Sequence, residues 1–305
     1  MKTGWLYVLL FFLLFLSCSP KMGEVHIPGD VEEALVLAEE NREELEKVIS
    51  HFSKHEEDSL KLRSALFLIS NMPLHSSVLM KNKSTNLMPY IKMADKKLFE
   101  IFKDQRQDSL QSESFLDEVD KIKDFVQAKM ARVNFKEKIV YYGPISDVKV
   151  FDARFLIEHI EHAFTLRELP MVSQLSFQDF CDYILPYRLI DQKVITQTGK
   201  DYHAIFYKYL KTSANDEAEI MDALERFKLV ISYFRRILGD YPYSKYLGFE
   251  ELFFNSPSYD CYDMVNTQGL ILNACGIPAK ACINLSFKNR SGSHAFISSR
   301  AEISH

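Results

Sequence analysis

Cys261 and His294 are the two residues in this sequence whose types and spacing could do chemistry together. Asp260 precedes the cysteine, and an apolar-periodic segment with Met264, Val265, Leu270, Ile271 and Ala274 follows it. Gly276 and then Pro278 close that segment, so the pattern predicts a helix that begins at Cys261. Two alternating runs come next, 279–287 and 293–299, joined by the turn-rich KNRSGS, and His294 opens the second run. A free thiol has a pKa of about 8.5, and only the thiolate attacks well. A helix N-terminus lowers that value by its dipole and unpaired N–H groups. A histidine in contact takes the proton and remains as imidazolium. The Cys261 backbone N–H is the expected oxyanion donor, because a helix start can also hold the developing oxyanion. Gln178, Tyr187 and Tyr259 are further candidate donors upstream.

The stretch 255–299 resembles the transglutaminase-like superfamily of papain-related cysteine enzymes. The residues that carry the likeness are Cys261 at the helix start, the turn Gly276-Ile277-Pro278-Ala279, and Gly292-Ser293-His294-Ala295-Phe296. More loosely, 30–73 and 177–188 are similar in style to secreted transglutaminase-domain lipoproteins of Bacteroidetes. The resemblance implies attack by Cys261 on an amide carbonyl, with His294 as base toward the thiol and acid toward the leaving amine. It implies a protein or peptide substrate and no cofactor. Two positions depart from the family pattern. Phe296 stands where a tryptophan is usual. The Asp that should orient the imidazole from the next strand is absent, since the chain ends at His305 with Glu302 as the only acid after His294. The expectation is a C-terminally truncated core, either a fragment or a degenerate copy, and loss of an orienting acid can cost a triad enzyme about 10⁴ in turnover.

The elements that would position this pair read as an α+β chain. Residues 1–18 carry Lys2, a twelve-residue apolar run over 5–16 and the ending Phe-Leu-Ser-Cys. The run is too short for a span of about twenty residues and has the length of a signal-peptide core. Its end resembles a bacterial lipoprotein signal, so Cys18 is the expected lipid anchor and the cell envelope the expected location, with the membrane contacted through that lipid. A tether is expected over 19–29. Residues 30–135 are expected to be a helical region, with a capping-box-like start at Asp30 and helices near 59–72, 87–102 and 114–130. The transglutaminase-like region is expected over 136–305, with its core motif at 255–305. Within it, 136–142 reads as a strand closed by Gly143-Pro144, and 151–164, 176–185 and 214–238 read as helices. The stretch 193–202 reads as polar strand or loop.

Totals narrow the function classes. A chain of 305 residues, 47% hydrophobic, can build a sizeable core. Formal net charge is −5 with no basic stripe, which argues against nucleic acid. Among other candidates, Glu158-His159-Ile160-Glu161-His162 places two histidines three apart, whereas zincin helices carry them four apart. A solvated charged face is the expectation there, and no metal. Asp263, in the first turn, reads as ordinary dipole complementarity. Cys181, Cys275 and Cys282 read as buried free thiols, with a 275–282 disulfide as the alternative. Arg188 suits either a substrate carboxylate or an ion pair that holds a loop. Against the enzyme stands a reading of a different class: a non-catalytic envelope lipoprotein whose helical region binds a partner or glycan.

Overall fold

The computed structural model describes residues 26–82, 85–134, 139–191, 197–210, 217–240, 252–255, 260–284 and 294–299. Eleven α-helices and four strands lie within them, linked in places by short 3-10 turns. In chain order they are α1 (Gly29–Leu37), α2 (Arg42–Phe52), α3 (Ser59–Asn71), β1 (Ser76–Asn82), α4 (Met88–Phe102), α5 (Glu113–Met130), β2 (Ile139–Ser146) and α6 (Ala153–Thr165). There follow α7 (Pro170–Ser173), α8 (Phe177–Tyr183), α9 (Gly199–Leu210), α10 (Glu217–Leu238), α11 (Cys261–Ala274), β3 (Ala279–Asn284) and β4 (His294–Ser299). The class is α+β: helix dominates, and β1–β2 and β3–β4 are separate two-stranded antiparallel sheets. Among the described residues no helix is long and apolar enough to cross a membrane.

Two helical groups meet on one helix. The first group packs α1 on α3, and α2 and α3 on α6. The second packs α4, α5 and α10 against one another. Helix α9 touches both, through α6 on one side and α10 on the other, and it also carries α11. Amphipathic spacing dictates this arrangement: Tyr202, Phe206, Tyr209 and Leu210 of α9 are all buried, at i, i+4, i+7 and i+8. The second core is aromatic. Phe206 stacks on Phe253 at 5.8 Å, Phe234 meets Phe253 edge-on at 4.8 Å, and Phe102 meets Tyr209 at 5.2 Å.

Helix α9 is the main departure from the sequence expectation, which put loop or strand over 193–202. A Thr198…Asp201 cap starts it, with the Thr198 N–H and Oγ1 both donating to Asp201 Oδ2 at 2.8 and 3.2 Å. Strand β1 is the second departure, lying inside the stretch expected to be wholly helical. It pairs with β2, which runs through Gly143-Pro144 instead of stopping there; a bulge between Leu79 and Met80 absorbs the turn, with Gly143 at φ +93°. The helix expected from Asp30 onward breaks after Leu37, where Glu39 takes a positive φ of 52°. Asn41 then donates to the carbonyls of Val148 and Phe151 at 2.8 and 3.0 Å, a tertiary contact that fixes the break. Asp30 is not a cap: the helix starts at Gly29 after Pro28, and no side chain caps it.

A buried ionic cluster ties the β1–β2 sheet to the loop before α9. Arg188 Nε lies 2.8 Å from Asp147 Oδ2, and both side chains are almost fully buried. Arg188 also donates to the Ser76 carbonyl at 2.9 Å and to Ser77 Oγ. Ser77 Oγ and Tyr187 Oη donate to Asp147 at 2.6 and 2.9 Å. Burial pushes the Asp147 carboxyl upward, and Arg188 with these two hydroxyls opposes that shift. Of the two expected roles for Arg188, the ion pair that holds a loop is the one observed. Replacing it should leave a buried carboxylate uncompensated. Arg188→Ala is expected to destabilise the fold by about 3–5 kcal/mol, read as a lowered urea midpoint at neutral pH. A loss under about 1 kcal/mol would contradict a structural role for the pair.

Candidate functional site at the start of the cysteine helix

Helix α11 is fixed at both ends by local chemistry. Asp260 caps its start, with Oδ1 accepting from the N–H groups of Tyr262 and Asp263 at 3.0 Å each. At its end the Ile277 N–H donates to Leu272 O at 2.9 Å and the Gly276 N–H to Asn273 O at 3.0 Å. That pair is a Schellman motif, and Gly276 supplies the left-handed residue it needs at φ +82°. From Gly269 to Ala274 every residue is buried. The helix is therefore an interior one, held between α9 and the β3–β4 hairpin.

Two asparagines orient it about its axis. Asn266 Oδ1 accepts from the N–H groups of Leu189 and Ile190 at 2.8 and 3.1 Å. Asn273 Oδ1 accepts from the Ala279 N–H at 2.7 Å, at the first residue of β3. They stand seven apart, two turns on one face. Gly269 sits between them, where an added Cβ would lie 2.3 Å from Leu189 Cδ1. The glycine lets the Leu189 side chain lie against the helix, and a larger residue there would make that side chain move. Sequence reasoning passed over both asparagines; a polar residue inside the apolar run Gly-Leu-Ile-Leu-Asn-Ala was the available signal.

Cys261 is the first residue of α11 and is half-buried. Asp260 occupies the N–H groups of Tyr262 and Asp263, which leaves the Cys261 N–H as the first-turn donor outside that cap. Asp263, the first-turn acid, is 7% exposed and so a buried one. β3 runs back along α11 from its C-terminal end, and Asn284 at the end of β3 pairs with His294 at the start of β4. A strand of six residues advances roughly 20 Å and a helix of fourteen roughly 21 Å. His294 and Cys261 thus lie at the same end of this layer. They belong to different faces. Ala279, Ala281, Ala295, Ile297 and Ser299 form the packed side of the hairpin. His294 belongs to the alternate set, with Cys282 and Phe296, and is exposed. Phe296 is 49% exposed.

The other expected residues have clear places. Cys181 and Cys275 are buried free thiols; burial pushes Cys181 up to about 12, and Cys275 higher still. Cys282 is free but half-buried, which corrects the expectation of a buried thiol, and no 275–282 disulfide is present. Tyr187 is spent on Asp147 and Gln178 on Asp182, so neither faces Cys261 as a donor. Cys18, Tyr259, Gly292, Ser293 and Glu302 lie outside the described residues.

His159 and His162 are not on a solvated face. His159 is buried, and its Nε2 donates to Leu185 O at 2.8 Å. Its Nδ1 is then the acceptor for the Gly199 N–H at 3.4 Å. Burial holds the His159 imidazole down at about 4, so it is neutral at pH 7. His162 Nε2 donates to Ala274 O at 2.9 Å, and burial lowers its pKa as well. Both rings are committed to backbone groups. No group of three or more His, Cys, Asp or Glu suited to a metal ion occurs among the described residues.

The seat of α11 is testable at Gly276. Gly276→Ala should destabilise by about 1–2 kcal/mol from the left-handed φ alone, and more because its Cβ would lie 2.3 Å from Leu169 Cδ1. Gly29→Ala, with open space around it, should change stability by less than about 1 kcal/mol. Equal effects of the two substitutions on thermal unfolding would contradict this account of the turn. In comparisons with known proteins, no family model, no curated protein and no solved structure matches this chain.

Proposed function

We propose that the chain is a transglutaminase-like cysteine protein acting on amide bonds of a protein or peptide, with Cys261 as nucleophile and His294 as its proton acceptor. The observation that supports this most is a half-buried thiol on the first residue of a rigidly seated interior helix, whose own backbone N–H lies outside the Asp260 cap. The sulfur adds to the amide carbonyl, forming a C–S bond. The C–N bond then breaks as the amine takes the proton held by the imidazole, leaving a thioester. Water or a second amine adds to the thioester and releases the thiol. Lipid attachment at Cys18 would hold the domain at a membrane surface, as the leader sequence suggests.

A second reading has its own support. His294 shares the outward set of the hairpin with Phe296, and Asp260 takes two first-turn donors. These features suit an interaction module on the cell envelope with no catalytic turnover.

Competitive alkylation separates the two. With limiting iodoacetamide near pH 6, an activated Cys261 is labelled ahead of Cys282, and His294→Ala abolishes the preference. Cys282 is the informative control, because it is also half-buried, whereas burial alone slows Cys181 and Cys275. Equal labelling of Cys261 and Cys282 would remove the enzyme reading.

A further inference from the structure

Three histidines from two helices converge on the C-terminal end of α11, the end opposite Cys261. His162 of α6 and His203 of α9 both donate to the Ala274 carbonyl, at 2.9 and 3.0 Å. Their rings meet edge-on with centroids 5.0 Å apart. One turn back along α6, His159 receives the Gly199 N–H, the first residue of α9. Gly199 permits this approach, since an added Cβ would lie 2.7 Å from His162 Cδ2. Asn273 Nδ2, buried and without a partner among the described residues, lines the same small cavity as His159 and His162. That cavity, about 10 Å³, has room for about one water.

Burial disfavours charge on His159 and His162 more than their carbonyl partners favour it. His159 Nδ1 must keep its lone pair to accept from Gly199; protonated, it would turn a second donor toward that N–H. A protonated His162 would hold its charge in a buried site, edge-on to the His203 ring. From α9, Lys200 adds a further positive charge and Asp201 opposes it with a negative one, but burial outweighs both at His162. From α3, Lys61 faces α6 but is paired with Glu161. Besides the Ala274 carbonyl, α11 brings the neutral Asn273 amide, and Cys275 just beyond the helix is a buried thiol. Tyr207 stacks on His203 at 4.4 Å and leaves it little room to swing away.

We propose that His159 and His162, with His203 as the second donor to the Ala274 carbonyl, form an acid-sensitive latch that holds α9 on α6 and seats the C-terminal end of α11, and that opens when His159 and His162 take up protons. The inference is independent of whether Cys261 is a nucleophile. Its sign follows from the depressed values of His159 and His162. The opened chain binds protons below about pH 6.5, which the closed one refuses until about pH 4 at His159. The opened fraction therefore grows as pH falls through that window, by up to about tenfold per pH unit for each proton taken up.

Cys275, buried next to Ala274, reports the opening. The full chain is treated with 4,4′-dithiodipyridine at pH 7.5, 6 and 5. Protection at each cysteine is the rate in the urea-unfolded chain divided by the native rate at the same pH. The latch predicts that Cys275 protection falls at least tenfold between pH 7.5 and pH 5, while Cys181, buried in α8, stays protected. His162→Gln combined with His159→Gln, which keeps donors but cannot charge, should flatten the Cys275 response. Unchanged Cys275 protection at pH 5 in the wild-type chain overturns the proposal by itself, whatever the variants do. A parallel loss at Cys181 also overturns it, because that is global acid unfolding.

Discussion

A helix buried to its last residue must place its final carbonyls on some donor, and that requirement at α11 shapes much of the molecule. The Schellman turn satisfies Leu272 and Asn273, and two imidazoles take Ala274. Those imidazoles come from α6 and α9, so satisfying one carbonyl joins the N-terminal helices to the cysteine helix. The two asparagines complete the seat. Asn266 holds the loop over 186–191, and Asn273 holds the start of β3. The thiol at Cys261 inherits its position from contacts made up to two turns or more away.

The same logic connects the remote sheet. The 186–191 loop rests on α11 through backbone N–H groups, while its Arg188 is committed to Asp147 and to both serines of β1. A buried ion pair of this kind is weak evidence for net stability, because desolvation offsets most of the attraction. Its geometric effect is stronger. A forked guanidinium with partners on β1 and on the turn after β2 allows one placement of the loop, and so one placement of the helix beneath it. Aromatic packing around Phe253 and Tyr209 supplies the apolar part of the same joint.

Local signals made some of this legible and long-range ones did not. Asp260 at the start of α11 and Gly276 with Pro278 at its end are chemistry written within a few residues, and both ends were readable. The alternation of β3 and β4 was readable for the same reason. Helix α9 was hidden because its buried face opens on Gly199 and a polar first turn, and its apolar side chains begin only at Tyr202. Strand β1, Ser-Ser-Val-Leu-Met-Lys-Asn, has no strict alternation, and its identity depends on a partner strand that begins only at Ile139. The roles of Arg188, His159 and His162 depend on partners brought by folding. Spacing could say that the two histidines share a helix face, but not that a carbonyl of α11 would lie above it. For the candidate site, the order of Cys261 and His294 along the chain was legible. The face on which His294 falls needed the register with Asn284.

The central claim is that the sulfur of Cys261 is the atom that takes an acyl group. Acylation of the full chain with an activated ester, quenched in acid and mapped by peptide mass, tests it without knowledge of the natural substrate. The account predicts an acid-stable thioester on Cys261, discharged by added amine, with Cys282 unmodified at the same ester concentration. Acyl groups shared equally between Cys261 and Cys282, or absent from Cys261 while Cys282 is modified, would contradict it.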